Sequence, residues 1–168
     1  MTIDQLNAAD RAAFVAAVGF TFENAPWIAE AAWSKRPFRD AGLLLAAMVA
    51  EVEAAPEERR VALIAAHPDL AGRLARERRL GTTAMQEQAA AGLDRLTPQE
   101  IARFDELNAA YRERFGFPFV ICAREQTRDA IVAALERRLT NDRTTEIDAA
   151  LAEIVKIARL RLKDVIGE

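Results

Sequence analysis

The stretch that decides the fold is NDRTTEIDAALAEIVKIARLRLKDVI, residues 141–166. Ile147, Leu151, Ile154, Ala158, Arg161 and Val165 follow one another at spacings of 4, 3, 4, 3 and 4. This is the stripe of a helix that turns one face to a core. Asn141 or Asp142 is expected to cap its start. One member of the stripe is out of character: Arg161 occupies a slot where an aliphatic side chain belongs. Arg159, two residues earlier, falls off the stripe and reads as solvated. A guanidinium on a core face must meet an anion or several carbonyls, because burying it alone is costly. It either forms an internal salt bridge, snorkels near the helix end, or binds an anionic ligand, for which Arg offers bidentate contacts.

The same 3.6-residue period runs through the rest of the chain, and strand-like alternation is nearly absent. Helices are expected over residues 7–18, 26–36, 40–55, 56–66, 69–79, 82–92, 97–115 and 127–139, ahead of the final one. Gly19 and Gly116 stand just past helix ends, and Asp69 is a candidate N-cap. Thr97 with Glu100 forms a capping box, and Pro26, Pro56 and Pro98 sit where helices begin. Pro37 closes the second helix. No repeat or linker divides the chain. The expected fold is all-α: one domain over residues 1–168, a bundle of about eight to nine helices with one short extended apolar segment.

Composition narrows the function classes. The chain has 168 residues, 51% of them apolar and 29% charged, which suits a globular domain rather than a disordered or membrane-spanning chain. A single cysteine, Cys122, and a single histidine, His67, rule out an internal disulfide and make a structural zinc site untenable. No resident metal is expected. A net charge of −3 gives no general pull towards nucleic acid. The basic run RLARERR at 73–79 is interleaved with Glu77, lacks an aromatic platform, and reads as a solvated helix face. The opening residues carry no basic segment followed by an apolar one, which speaks against a signal peptide. The expectation is a cytoplasmic protein. Phosphate loops, nucleophile elbows and paired-histidine metal helices are all missing.

Two prolines mark places where helices cannot continue. Pro118 lies in FGFPFVICAR (115–124), an apolar stretch without helical period, whose backbone N–H and C=O groups need partners from outside a helix. A bound polar ligand would supply some. Pro68 follows the lone histidine in LIAAHPDLAG (63–72) and forces His67 out of the α region. An imidazole at a helix C-terminus is favoured as the cation and lies within reach of acid–base work near neutral pH. The alternative is a histidine that merely donates to the last carbonyls. Glu87, in TTAMQEQAAAGL (82–93), is a third candidate. Ala84, Ala89, Ala90, Ala91 and Gly92 leave room around it for a ligand, and a carboxylate there could hold amide N–H groups or move a proton. Its alternative role is that of an ordinary solvated helix glutamate.

Taken together, NAPWIAEAAWSKRPF, LIAAHPDLAG, EQAAAGLDRLTPQE, FDELNAAYRERFGFPFVICAR, ERRLTNDRTTEI and EIVKIARLRL resemble, in order, successive blocks of the 2-oxo-4-hydroxy-4-carboxy-5-ureidoimidazoline (OHCU) decarboxylases, enzymes of urate breakdown that yield (S)-allantoin. The resemblance runs from about residue 8 to residue 165. It implies an all-helical, cofactor-independent homodimer that acts on a small ureidoimidazoline, with no nucleic-acid or membrane partner. It implies a catalytic role for His67 before Pro68, with Glu87 and Arg161 completing the machinery. Substrate contacts are implied for Pro68, Ala84, Met85, Gln86, Glu87 and Gln88, and for the extended segment Phe119, Val120, Ile121, Cys122 and Ala123. Ala84 departs from the serine common there, and Thr82 or Thr83 is a candidate to replace the hydroxyl. Two other readings compete: a helical interaction module with buried structural ion pairs, and an enzyme acting on a different ureido acid.

Overall fold

In the computed structural model, described over residues 1–72, 75, 77 and 79–167, the chain is helical with no strand among the described residues. The helices in chain order are α1 (Ile3–Ala8), α2 (Arg11–Val18), α3 (Pro26–Trp33), α4 (Ala41–Ala54), α5 (Glu57–Ala65), α6 (Thr82–Ala90), α7 (Pro98–Phe115), α8 (Arg128–Arg138) and α9 (Arg143–Ile166). Short 3₁₀ turns occupy Gly19–Thr21 and Ala123–Glu125. The all-α class expected from periodicity is therefore observed.

The chain divides into two compact units, Met1–Ala66 with Ile154–Glu168, and His67–Glu153. In the first, α3 packs against both α2 and α4. Leu6, Phe14, Val18, Phe22, Ile28, Leu44, Met48 and Ile64 are buried there. Asn7 brackets Phe38, donating to its carbonyl at 2.7 Å and accepting from its N–H at 2.8 Å. Arg36 donates to the carbonyls of Trp33, Asn7 and Ala9, each at 2.7 Å. One guanidinium thus serves carbonyls that their own helices leave over.

The helix expected over residues 7–18 is two helices. Asp10 is in extended conformation, and its carboxylate accepts from Ala13 N–H, restarting the chain as α2. The preceding turn, α1, has its own capping box between Thr2 and Gln5. An alanine-rich run has helical propensity throughout, but a side-chain cap that satisfies orphan N–H groups decides where a helix begins. Gly19 follows α2 as expected, in right-handed rather than left-handed conformation. The helix expected to start at Asp69 does not start there: residues 69–72 form a non-helical turn, with Ala71 left-handed at φ +51°, and of the rest residues 73, 74, 76 and 78 lie outside the described residues.

In the second unit, α7 packs against α8. Its Thr97–Glu100 capping box forms as read, and it ends at Gly116 with φ +80°, a left-handed conformation that glycine adopts without steric cost. Tyr111 and Phe119 meet edge to face at 5.4 Å, and Tyr111 and Phe115 lie 4.6 Å apart. Together with Phe104, Phe117, Ile131 and Leu135 they form the buried aromatic centre. A polar cluster sits within it. Glu146, completely buried, accepts from Tyr111 Oη, from Arg138 Nε at 2.6 Å and from Asn141 Nδ2 at 3.1 Å. Glu146 lies in the first turn of α9, where the helix dipole favours negative charge. Burial, reinforced by Glu146, holds the Tyr111 phenol far above its ordinary range. Asp142 caps α9, accepting from Thr145 N–H at 2.7 Å.

Candidate functional site

His67 is the first residue of the second unit. It follows α5 and its C-cap residue Ala66, as the proline at 68 requires. Its side chain is buried, with 6% exposure. The loop after it is held by three side chains. Asp69 Oδ1 accepts from Arg112 Nε at 2.9 Å, the Leu70 carbonyl accepts from Asn108 Nδ2 at 2.9 Å, and Ala71 N–H donates to Gln88 Oε1 at 2.9 Å. Ala71 is left-handed, with φ +51°, a conformation that costs an L-residue about 1–2 kcal/mol. Its neighbour is closely confined as well, since a Cβ on Gly72 would meet the Asp69 Cβ at 2.7 Å. A strained loop of this kind persists when its surroundings over-determine it.

Helix α6 carries Glu87, Gln88 and the small residues around them. Gln88 is buried, Glu87 half-buried, Ala84 buried, Met85 half-buried and Gln86 exposed. Gln88 faces the loop behind His67, as its bond to Ala71 shows. Helix α6 also packs against the 3₁₀ turn Ala123–Glu125, which ends the extended segment. The charge of Glu87 is felt at Cys122: burial, with Glu125, Glu153 and Glu87 adding to it, pushes that thiol up to about 11. Cys122 is therefore a neutral thiol at physiological pH and a poor nucleophile. Met85, Gln86 and Gln88 also line an open cleft of about 500 Å³ with Ala71, Leu93 and Ile101. Neither His67 nor Glu87 lines it.

The segment expected to be extended lies outside any helix over residues 117–121. Phe119, Val120, Ile121, Cys122 and Ala123 are all buried. Two of its backbone groups find side-chain partners. The Val120 carbonyl accepts from Arg138 Nη1 at 2.7 Å, and Cys122 N–H donates to Glu153 Oε2 at 2.9 Å. Part of the hydrogen-bonding demand that the sequence left open is thus met within the protein.

Arg161 belongs to the first unit. It is buried at 3% exposure, as its place on the α9 stripe predicts. Its Nη1 donates to Glu23 Oε2 at 2.8 Å and to the Phe20 carbonyl at 3.1 Å. The internal salt bridge weighed from sequence is therefore present, while Arg159 is exposed as expected. Glu23 keeps a quarter of its side chain exposed and, with Val15, Phe20 and Pro26, lines an open cleft of about 370 Å³.

Among the residues that matter to this geometry, Glu23, Asn108, Arg112, Arg138 and Glu153 were not singled out from the sequence. Asn108 and Arg138 did carry a signal. Asn108 shares the core face of α7 with Phe104, Leu107, Tyr111 and Phe115, and Arg138 shares that of α8 with Ile131, Ala134 and Leu135. Each is a polar residue on an apolar stripe, the same anomaly that exposed Arg161.

An all-helical fold that buries an imidazole past a helix end, and sets a glutamate near an irregular main-chain strip, has the parts of an acid–base enzyme for a small polar molecule. Comparison with known proteins narrows that class. Residues 7–163 match the family model described as OHCU decarboxylase. A 2-oxo-4-hydroxy-4-carboxy-5-ureidoimidazoline decarboxylase of Haloferax volcanii is 44% identical over 98% of this chain and 95% of its own length. One from Bos taurus is 41% identical over 100% of this chain and 99% of its own. A solved structure, the crystal structure of (S)-allantoin synthase, superposes with a TM-score of 0.80 at 29% identity, covering 99% of this chain and 54% of that one. The chain belongs to the OHCU decarboxylase family.

Proposed function

We propose that the protein decarboxylates 2-oxo-4-hydroxy-4-carboxy-5-ureidoimidazoline to (S)-allantoin in urate breakdown, with both compact units acting as one functional domain. The observation that carries this is a family match that begins at residue 7 and ends at residue 163, and so takes in His67, Glu87 and Arg161 together.

The chemistry suits such a chain. The substrate bears a carboxylate and a hydroxyl on one ring carbon, and the adjacent carbon belongs to a C=N bond. When the C–CO₂ bond breaks, its electron pair moves towards that imine, whose nitrogen takes up a proton. Loss of the hydroxyl proton and delivery of a proton to the adjacent carbon then complete the ring's amide carbonyl and create the stereocentre. The imine is itself the electron sink, so the reaction asks for no pyridoxal or thiamine. What the protein supplies is orientation and charge management. His67 exchanges the proton with the ring hydroxyl, and protonation from one face gives the S product. Glu87 holds ureido N–H groups. The backbone of Phe119–Ala123 orients the amide edges, Pro68 and residues 84–88 complete the surround, and Arg161 binds a carbonyl or carboxylate oxygen. The same reading carries cofactor-independent turnover by a homodimer in the cytoplasm. Among the described residues, no helix is long and apolar enough to cross a membrane.

The direct test generates the unstable substrate in place, from urate with urate oxidase and hydroxyisourate hydrolase. Adding the protein is expected to speed the loss of the substrate's ultraviolet absorbance and to give optically active allantoin. Unchanged decay with racemic product would end the proposal.

The ion pair with Glu23 offers a purely structural reading of Arg161 beside the substrate-binding one, and Arg161→Leu separates the two. A lost charge-assisted hydrogen bond to substrate is worth about 1.5–3 kcal/mol, which is roughly ten- to a hundredfold in rate. Turnover should fall by that factor while the melting temperature holds, because leucine restores the apolar stripe and Glu23 keeps access to water. Full activity with a lowered melting temperature would assign Arg161 to structure alone.

A further inference from the structure

We propose that Asn108 is a positioning residue for His67, fixing through the Leu70 carbonyl the loop on which the imidazole stands. The inference rests on the proposed acid–base role of His67. Asn108 is 95% buried on the core face of α7, with 5% exposure. Its orientation is set by chemistry: the Leu70 oxygen can only accept, so Asn108 presents Nδ2 to it, at 2.9 Å. Among the described residues, this leaves Asn108 Oδ1 buried with no hydrogen-bond partner. A buried acceptor without a donor is unfavourable, and an apolar side chain of the same shape would remove that cost. The same exchange would leave the buried Leu70 carbonyl without this donor. The amide is thus a poor choice for packing and a good one for holding the loop.

The loop needs holding. It runs from His67 through Pro68 to a left-handed Ala71 at φ +51°, and Leu70 and Ala71 are both buried. Asn108 and Gln88 grip adjacent residues from two different helices, one at the Leu70 carbonyl and one at the Ala71 N–H. Arg112, one turn along α7 from Asn108, grips Asp69. Asp69 and Arg112 are more exposed, so the Asn108 bond is the buried member of the α7 pair. An imidazole that passes a proton in a short-lived geometry loses rate steeply with small displacements.

The experiment compares Asn108→Leu, Asn108→Asp and His67→Asn with the parent in the coupled ultraviolet assay, each rate normalised to folded protein by circular dichroism. For Asn108→Leu the expected result is a fall in kcat of about 10²-fold with KM nearly unchanged, the pattern of a misplaced reacting group rather than a lost binding contact. Asn108→Asp supplies the readout that packing alone would not move. Its carboxylate cannot donate to Leu70 O, but its protonated carboxyl can. Its kcat relative to the parent is therefore expected to rise as the pH falls, and it remains informative if the leucine variant does not fold. A parental kcat in folded Asn108→Leu, or a ratio for Asn108→Asp that stays flat with pH, overturns the proposal. If His67→Asn is itself fully active, the acid–base reading fails first. An inactive His67→Asn beside a fully active Asn108→Leu refutes only the positioning role.

Discussion

His67→Asn should lose between about 10² and 10⁴ in turnover, the range that a positioned general acid or base contributes, while folding and melting as the parent does. Asparagine retains a donor and an acceptor near the imidazole's own, so the buried site is not emptied of polar partners. It cannot take up and release a proton near neutral pH. The measurement is kcat in the coupled assay beside a thermal melt. The product's optical activity is a second reading, because the slow reaction that remains should lose its facial preference and drift towards racemic allantoin. A variant with parental kcat would remove the histidine from the chemistry. A variant that melts far below the parent would show that the imidazole is needed for packing.

The second large effect concerns stability. Glu146→Leu should destabilise the protein by about 3–5 kcal/mol, because it removes one partner of a buried pair and leaves the Arg138 charge uncompensated. For a chain of this size that corresponds to a drop in Tm of roughly 6–20 °C. Glu146 serves Tyr111, Arg138 and Asn141 at once, so Tyr111→Phe, which removes only one of these charge-assisted bonds, should cost less, about 1.5–3 kcal/mol. The ordering of the two variants is the informative part. If Glu146→Leu melts with the parent, the cluster is not a net source of stability.

How far this could be read beforehand follows from the range of each interaction. Local signals were legible. The α9 stripe gave the class and the burial of Arg161, Thr97 with Glu100 marked the start of α7, and Pro118 marked the break that the structure shows at residues 116–122. The break at Ala9–Asp10 was local too, but hidden. Alanine continues the period on both sides, and only the Asp10 cap tells the halves apart. Partnerships across the chain were not legible. Arg161 finds Glu23 138 positions away, and Asn108 finds Leu70 38 positions away. Periodicity says that such a side chain must be satisfied, but it carries no information about the partner. The histidine, glutamate and arginine of the candidate site were each visible as an oddity, whereas Asn108 behind His67 was visible only as a polar residue on an apolar face, and the half-exposed Arg112 carried no such mark.

The grip of Arg138 and Glu153 on the strip has an evolutionary consequence. If recognition there runs through the peptide groups of residues 119–123, the side chains along that strip are free to drift among apolar types without altering what is bound. Constraint passes to two distant charged residues, which shape the array of amides without having to touch the ligand. Lineages that change specificity would then be expected to do so by exchanging these remote holders, leaving the strip itself looking almost untouched.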